Sequence, residues 1–198
     1  MPGHKQNMSG YPMAAYYGID ITEIDGFDNL HNARGILKDT MERAALLFGA
    51  KTYMLVNGST GGILSAVSTV ASGGGKILAA RNCHRSFYHA VYLNRCRAEY
   101  IYPCFMEKYG LCGSIPVSEI EKKLETDSEI RAVFLTSPTY DGIVSDIGAI
   151  VNIAHARRIP VIVDEAHGAH FVLDGRFPKS AVHLGADMVI HSIHKTLP

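Results

Sequence analysis

Two residues late in the sequence have side chains suited to covalent chemistry on a bound carbonyl compound. Asp164 follows a run of valine and isoleucine, so we expect its carboxylate at the rim of an apolar core, where it needs a cationic or hydrogen-bonding partner. Lys195 follows a second apolar run, and a lysine amine that is shielded from solvent can be neutral and form a Schiff base. The structural alternatives are a helix cap for Asp164 and a solvated surface charge for Lys195.

Two further groups of residues could bind a ligand. The run Gly58-Ser-Thr-Gly-Gly62 combines the hydroxyls of Ser59 and Thr60 with the free backbone N–H groups of a helix start, which suit a phosphate. Such a run is also common as an ordinary turn. His84 begins a predicted helix, where an imidazole can stack on a flat aromatic cofactor or exchange protons. A helix-capping or core histidine is the alternative.

Two other kinds of site are suggested by the same residues and are excluded by their spacing. Asp164-Glu-Ala-His167 is typical of the magnesium-binding box of helicase-type ATPases, which also require a loop of the form G-x-x-x-x-G-K-[ST]. The nearest candidate has Val70 in place of the first glycine and Ile77 in place of the final Ser or Thr. Zinc is suggested by two pairs of histidines: His167 with His170, and His191 with His194. Neither pair has the H-E-x-x-H spacing, so we expect no metal.

The elements that must position these residues alternate along the chain. Apolar, strand-like runs occur at Thr52–Val56, Lys76–Ala80, Ala98–Tyr102, Ala132–Thr136, Pro160–Val163 and Asp187–Ser192. Helical spacing occurs at Asn32–Phe48, Thr60–Ala71, His84–Arg95, Val117–Leu124 and Asp146–Arg158. Gly49 should end the first helix, and Ser118 with Glu121 predicts a capping box for the fourth. The alternation predicts an α/β fold, with a mainly parallel sheet covered by helices on both faces.

Polar residues follow five of these predicted strands. In an open α/β sheet, ligands bind at the carboxyl ends of the strands. We therefore expect one crevice lined by five short segments: Asn57–Thr60, Arg81–His84, Ser137–Tyr140, Asp164–His167 and Ser192–Lys195.

Composition excludes several classes of protein. The chain has 198 residues, of which 47% are hydrophobic and 19% charged, as expected for a folded domain and not for a disordered one. Its formal net charge of zero gives no electrostatic reason to expect nucleic acid or a membrane surface as a partner. The sequence has neither a signal peptide at its start nor an apolar run long enough to cross a membrane, which favours the cytoplasm. The cysteines form no C-x-x-C pair, so reduced thiols are expected at Cys83, Cys96, Cys104 and Cys112.

Together these residues resemble the major domain of the bacterial Orn/Lys/Arg decarboxylases, a family of fold-type-I enzymes that depend on pyridoxal phosphate. The matching stretches span the chain in the family's order: Met1-Pro-Gly-His-Lys5, Asp20-Ile-Thr-Glu23, Gly26-Phe-Asp-Asn-Leu-His31, Phe48-Gly-Ala50, Val56-Asn-Gly-Ser-Thr60, Arg81-Asn-Cys-His84, Ser137-Pro-Thr-Tyr-Asp-Gly142, Asp164-Glu-Ala-His-Gly-Ala-His170 and Ser192-Ile-His-Lys-Thr-Leu-Pro198.

The resemblance implies a large domain of the aspartate aminotransferase type and a role for each polar residue. Lys195 would form the Schiff base with pyridoxal phosphate, and Asp164 would pair with the protonated ring nitrogen. The ring would lie between Ala166 and His84, and His167 would line the pocket. The phosphate would be held or bordered by Ser59, Thr60, Ser192 and His194. The implied reaction is decarboxylation of arginine, lysine or ornithine to its amine, which serves polyamine synthesis or acid resistance.

By the family pattern the chain is truncated, because the pattern continues past Pro198 with an antiparallel strand and a C-terminal domain. We expect residues 1–31 to form an extended arm and residues 32–198 an incomplete cofactor-binding domain. The full-length protein is expected to be a homodimer or larger homo-oligomer. Two alternatives stay open: another fold-type-I activity, such as an aminotransferase or an aldolase-like lyase, and a non-catalytic fragment of a split or decayed decarboxylase gene.

Overall fold

A computed structural model of the chain describes residues 3–5, 7, 10, 12, 14–72 and 74–197. Four residues of the motifs discussed above lie outside them: Met1 and Pro2 of the first motif, Gly73 between Val70 and Ile77 of the rejected ATPase loop, and Pro198 of the last motif. The chain divides into two compact units, Met1–Met54 and Leu55–Pro198. The predicted division into an arm of residues 1–31 and a cofactor-binding domain of residues 32–198 stays a prediction.

The first unit is built around one long helix. It contains the short helix α1 (Ala14–Tyr17), a 3-10 turn at Leu30–Asn32 and helix α2 (Ile36–Phe48). Helix α2 starts four residues later than predicted and ends, as predicted, at Gly49, whose φ of 71° lies in the left-handed region that glycine tolerates.

Asp28 fixes the start of α2. Its carboxylate accepts hydrogen bonds from the backbone N–H groups of Asn29, Arg34, Gly35 and Leu37, each at 2.9 Å. Two of these donors lie just before the helix and one lies in its first turn, where backbone N–H groups lack a partner within the helix. These bonds hold the pKa of Asp28 well below its ordinary value.

The second unit contains seven strands and five helices among the residues that the structure describes. The strands are β1 (Lys76–Ala80), β2 (Arg97–Ile101), β3 (Phe105–Met106), β4 (Leu111–Cys112), β5 (Ile130–Thr136), β6 (Val161–Asp164) and β7 (Met188–Ile190). The helices are α3 (Gly58–Val70), α4 (Arg85–Asn94), α5 (Val117–Thr126), α6 (Ile147–Ala156) and α7 (Ile193–Thr196). A 3-10 turn covers Ala169–Leu173.

Five strands form one sheet in the order β2-β1-β5-β6-β7, and every neighbouring pair is parallel. Alternate side chains of each strand enter two apolar cores on opposite faces. Phe134 and Ile162 pack with α3 and α4 on one face, while Val133 and Val163 pack with α5 and α6 on the other. The predicted α/β fold, with a mainly parallel sheet and helices on both faces, is confirmed.

Five of the six predicted strands and four predicted helices of this unit are confirmed to within two residues at each end. The strand predicted at Thr52–Val56 is wrong, because these residues form no regular ladder with any described strand. The capping box of Ser118 and Glu121 is also wrong: α5 starts after Pro116 without a side-chain cap. Proline fits there because its fixed φ suits a helix entry and its missing N–H leaves no donor unsatisfied.

Two further findings concern the described residues alone. None of their helices has the length and apolar character needed to cross a membrane. All four cysteines are free, with Cys83 and Cys96 buried and Cys104 and Cys112 exposed.

Candidate active site

The carboxyl edge of the sheet gathers most of the residues singled out from the sequence. His84 follows β1, Ser137 follows β5, Asp164 is the last residue of β6, and Ser192 follows β7. The register places Thr136 beside Asp164 and Asp164 beside Ile190. Four of the five predicted polar segments thus lie at the ends of strands, while Asn57–Thr60 lies at the start of α3.

Asp164 is a buried carboxylate with few partners. It is 3% exposed, and its Oδ1 accepts one hydrogen bond, at 3.2 Å, from the backbone N–H of Ala166. None of the ion pairs among the described residues includes it. Burial raises the pKa of Asp164 above its ordinary value, whereas the Ala166 N–H and the charges of Lys195, His84 and His167 act to lower it. A cation beside this carboxylate would remove much of the penalty of burying it.

Lys195 contacts His167 directly. Its Nζ lies 3.1 Å from Nε2 of His167, whose ring meets Tyr140 edge-on with centroids 5.6 Å apart. Burial lowers the pKa of His167, and the nearby Lys195 charge lowers it further, so a neutral imidazole is favoured. The apolar run before Lys195 predicted a shielded strand end; instead Lys195 lies on the single turn of α7 and is exposed. The strand stops at Ile190, and the next residues turn into α7.

His84 caps helix α4, as the structural alternative for this residue anticipated. Its Nδ1 accepts from the backbone N–H of Ser86 at 3.3 Å and lies 2.7 Å from the Ser86 hydroxyl. These bonds fix the ring at the carboxyl edge while the residue stays exposed. Ala166, the predicted neighbour of the other ring face, is buried. Stacking between the two stays a prediction.

The predicted phosphate ligands lie in two places. Ser59 and Thr60 lie in the first turn of α3, where Asn57 provides no side-chain cap, so the N–H groups of that turn keep their capacity for an anion. A Cβ at Gly62 would lie 3.0 Å from Ile190, so the missing side chain lets this turn pack against the end of β7. Ser192 follows the same strand end, and its buried Oγ has no hydrogen-bond partner among the described residues. His194 is exposed on α7.

These features fit the cofactor that the resemblance implies. A buried carboxylate without an ion pair suits a protonated ring nitrogen, and a buried hydroxyl without a partner suits a phosphate oxygen. Lys195 and His167 supply an amine and an imidazole at the same edge. The donor set therefore matches a charged aromatic aldehyde that carries a phosphate.

A second buried carboxylate, Glu165, was not predicted to have a role. It is 2% exposed and is held by Ser180, Ala181 and His191. Neither Glu165 nor His191 has a role predicted from the sequence outside the rejected ATPase and zinc sites. The available signal was weak: an acidic residue directly after a buried strand.

Other parts of the described chain offer no comparable site. Within the described ranges, no group of three or more His, Cys, Asp or Glu side chains is placed to hold a metal ion. An open groove of about 500 Å³ lies at the opposite edge of the sheet, where α5 and α6 end. Its acidic residues Glu125 and Asp127 are already paired with Arg157 and Lys76, so the groove is explained as a surface ion-pair region.

Comparison with known sequences identifies one family. The family model described as Orn/Lys/Arg decarboxylase, major domain, matches residues 2–198. The protein YaaO of Bacillus subtilis is 43% identical over 91% of this chain and 38% of its own length. An arginine decarboxylase of Bacillus cereus is 35% identical over 98% of this chain and 44% of its own length. A lysine decarboxylase of Pseudomonas aeruginosa, LdcA, is 26% identical over 82% of this chain and 24% of its own length. The chain thus spans less than half the length of these curated relatives.

Solved structures share the fold at low sequence identity. A SepCysS–SepCysE N-terminal domain complex matches with a TM-score of 0.67 at 18% identity, over 93% of this chain and 47% of that one. An alanine aminotransferase of Pyrococcus furiosus matches with a TM-score of 0.60 at 18% identity, over 79% of this chain and 41% of that one. The predicted aminotransferase-like fold is confirmed.

Proposed function

The chain belongs to the Orn/Lys/Arg decarboxylase family, and from that membership we propose that it forms the cofactor-holding part of a pyridoxal-phosphate-dependent decarboxylase of basic amino acids. The observation that carries the proposal is the buried Asp164 carboxylate, which lacks an ion pair within the described chain and lies at the edge that also holds Lys195. Arginine is the first substrate to test, because relatives at 35% identity are named arginine decarboxylase.

Each site residue has a distinct task in this proposal. Lys195 would hold the cofactor covalently, and Asp164 would keep its ring nitrogen protonated. His84 and Ala166 would border the two ring faces. The phosphate would be held or bordered by Ser59, Thr60, Ser192 and His194. When bound, pyridoxal phosphate would supply an electron-accepting ring that stabilises the charge left on the substrate after carbon dioxide departs.

His167 would orient the amine of Lys195. The two nitrogens are 3.1 Å apart, within hydrogen-bond distance, so the Nζ of Lys195 can donate to Nε2 of His167. Because the pKa of His167 is lowered by burial and by the Lys195 charge, its imidazole is available as an acceptor near neutral pH. The contact would therefore hold the Lys195 amine at the carboxyl edge of the sheet.

Burial would make Asp164 a strong partner for a protonated ring nitrogen. Its raised pKa means that the ionised form is held at an energetic disadvantage until a cation arrives. A protonated ring nitrogen would relieve that disadvantage, so the buried carboxylate should bind the protonated ring tightly. This arrangement favours the charged ring over a neutral aldehyde of the same shape.

The deciding experiment compares three forms of the purified chain with added pyridoxal phosphate: wild type, Lys195→Ala, and Lys179→Ala as a control at an exposed lysine outside the site. We expect a new visible absorption band in the wild type and the control, and none in Lys195→Ala. Borohydride reduction should fix the pyridoxyl group on the peptide that contains Lys195. If Lys195→Ala binds as the wild type does, the assignment of Lys195 is wrong.

Product analysis then separates the activities. Arginine, lysine and ornithine are each supplied, and release of carbon dioxide with the matching amine supports the proposal. A 2-oxo acid without carbon dioxide would identify an aminotransferase instead. Cofactor binding without any product would identify a non-catalytic fragment.

Three further proposals concern the protein beyond its active site. The amine product would serve polyamine synthesis or acid resistance. The full-length protein would act as a homodimer or larger homo-oligomer, and it would act in the cytoplasm. Gel filtration with light scattering, and fractionation of the source cells, would test the second and third.

A further inference from the structure

Glu165 is a buried charge that the proposed reaction does not use. It follows Asp164 directly, is 2% exposed, and lies at the carboxyl edge of the sheet. Removing a carboxylate from water is unfavourable by several kcal/mol unless hydrogen bonds or opposite charges replace the lost hydration. Its hydrogen-bond partners therefore decide whether it can stay ionised in this position.

Its partners come from two separate parts of the chain. On one side, the Ser180 hydroxyl donates to Oε2 at 2.6 Å and the Ala181 backbone N–H donates to Oε1 at 2.7 Å. On the other side, Nε2 of His191 lies 2.7 Å from Oε2. The backbone N–H of Glu165 also donates to the carbonyl of Ile190 at 2.9 Å. Glu165 therefore joins the segment after β6 to the segment after β7 through both its main chain and its side chain.

The segment after β7 is the one that needs such support. Strand β7 has three residues, and three register pairs join it to β6. Ser192 and Lys195 follow His191 by one and four residues, on a chain that continues into the single turn of α7. A strand this short has few ladder hydrogen bonds to resist local opening. The bond to His191 is thus well placed to limit that opening.

The turn around Glu165 is closely packed as well. A Cβ at Gly168 would lie 2.7 Å from the Glu165 side chain and 2.8 Å from Pro138. The backbone N–H of Gly168 donates to the Glu165 carbonyl at 2.9 Å, which closes the turn. The Glu165 side chain is therefore packed closely against the turn that follows it, which limits its movement.

We infer that Glu165 is a positioning residue, whose carboxylate holds His191 and so fixes the segment of Ser192 and Lys195 beside Asp164. The inference rests on the proposed function for its purpose, because it is the cofactor that needs Lys195 and Asp164 at a fixed separation. It acts through His191 and contacts no reacting group itself.

The experiment removes the bonds of the carboxylate one at a time. His191→Phe keeps a ring but loses the donor to Glu165, His191→Gln keeps a donor, and Ser180→Ala removes the bond on the other side as the matched control. Hydrogen exchange of residues 192–197 is measured in the cofactor-free chain. The dissociation constant for pyridoxal phosphate and the extent of borohydride labelling of Lys195 are measured in each variant.

The expected result is selective. His191→Phe should speed exchange of residues 192–197 and weaken cofactor binding, each by about tenfold, the size expected for one lost hydrogen bond to a charged group. Ser180→Ala and His191→Gln should change neither by more than about twofold. Thermal unfolding checks that each variant is folded. If His191→Phe does not fold, Glu165→Gln, which keeps the shape of the side chain without its charge, takes its place. It should speed exchange of the same residues.

Two results would overturn the inference. One is an equal effect of Ser180→Ala and His191→Phe on exchange of residues 192–197, which would assign Glu165 to general stability. The other is no effect of either. If the wild type binds no cofactor, the proposed function fails for this chain, and hydrogen exchange still decides the inference: selective loosening by His191→Phe upholds it, and unselective loosening refutes it.

Discussion

Replacing Asp164 with asparagine should make the cofactor-free fold more stable. The side chain is 3% exposed and has one hydrogen bond, at 3.2 Å, from the Ala166 N–H. An ionised carboxylate has about four acceptor positions, so most of them lack a donor in this environment. Asparagine has nearly the same shape, can keep the bond to Ala166, and carries no charge to desolvate. The usual loss of stability on mutating a buried polar residue should therefore be reversed.

The size of the gain follows from the extra cost of burying an under-bonded charge instead of an under-bonded neutral amide, about 1–3 kcal/mol in proteins. The nearby charges of Lys195, His84 and His167 offset part of it, since they favour the ionised form. At a pH above the raised pKa of Asp164, we expect a gain of about 2 kcal/mol in the free energy of unfolding. For a chain of this length, that corresponds to a rise of about 4–8 °C in the melting temperature.

The gain should depend on pH in one direction. The pKa of Asp164 is raised in the fold, so between its ordinary value and the raised value the unfolded chain binds fewer protons than the folded chain. Stability of the wild type therefore falls as pH rises through that window. The difference between Asp164→Asn and wild type should be small in acid, below the ordinary pKa, and full above the raised pKa. Urea unfolding across this pH range measures it.

Pyridoxal phosphate should reverse the order of stability, so that the wild type becomes more stable than Asp164→Asn. Ligand at 100 times its dissociation constant stabilises a fold by about 2.7 kcal/mol, and Asp164→Asn should gain much less than the wild type. Asp187→Asn is the matched control, because Asp187 accepts bonds from His155 and from the Val161 N–H, each at 2.8 Å, and should lose about 1 kcal/mol. If Asp164→Asn is instead less stable than wild type without cofactor, Asp164 is a structural anion and the reasoning fails.

Three other substitutions or treatments test the fold. Gly62→Ala should lower the free energy of unfolding by about 1–3 kcal/mol in urea, since its Cβ would lie 3.0 Å from two side chains, whereas Gly61→Ala, with 3.4 Å of space, should be neutral or stabilising. Burial raises the pKa of Cys83 to about 11, so its thiol should react slowly. After iodoacetamide treatment at pH 8, mass spectrometry should find Cys83 unmodified when the exposed Cys104 is fully alkylated. Equal rates of alkylation would contradict the buried position of Cys83. Asp28→Ala should speed hydrogen exchange at the start of α2 at neutral pH. Because the pKa of Asp28 is lowered in the fold, the slower exchange of the wild type should be lost only as pH falls below the ordinary pKa of an aspartate. Slower exchange of the wild type that persists in strong acid would contradict this.

The sheet could be predicted because its strands carry their own signal. Runs such as Ala132–Thr136 and Pro160–Val163 are apolar on both faces, which is typical of a parallel strand covered on both sides. Thr52–Val56 has a similar composition and forms no strand. A strand needs a neighbour for its backbone groups, and a single segment does not reveal whether that neighbour exists.

The site could be predicted only in part for a related reason. Asp164 and Lys195 stand out because their residue types are unusual at the end of apolar runs. The network of Glu165, Ser180 and His191 depends on contacts between residues up to 26 positions apart. The exposure of Lys195 likewise depends on where the chain turns after Ile190. Such features arise from tertiary packing, which the spacing of residues along the sequence does not reveal.

The strand order has a consequence for how the chain folds. Strands β1 and β2 can pair first; β5, β6 and β7 then add one after another on the other side of β1, in the order in which they occur in the sequence. Each addition closes a loop through a crossover helix or a long connection, which makes assembly slow compared with that of local structure. Asp164 arrives with the fourth strand of the sheet, and the segment of Ser192 and Lys195 arrives with the fifth. A cofactor that needs both can be bound only after β7 has joined the sheet, so it would stabilise the assembled strands and would not guide their assembly.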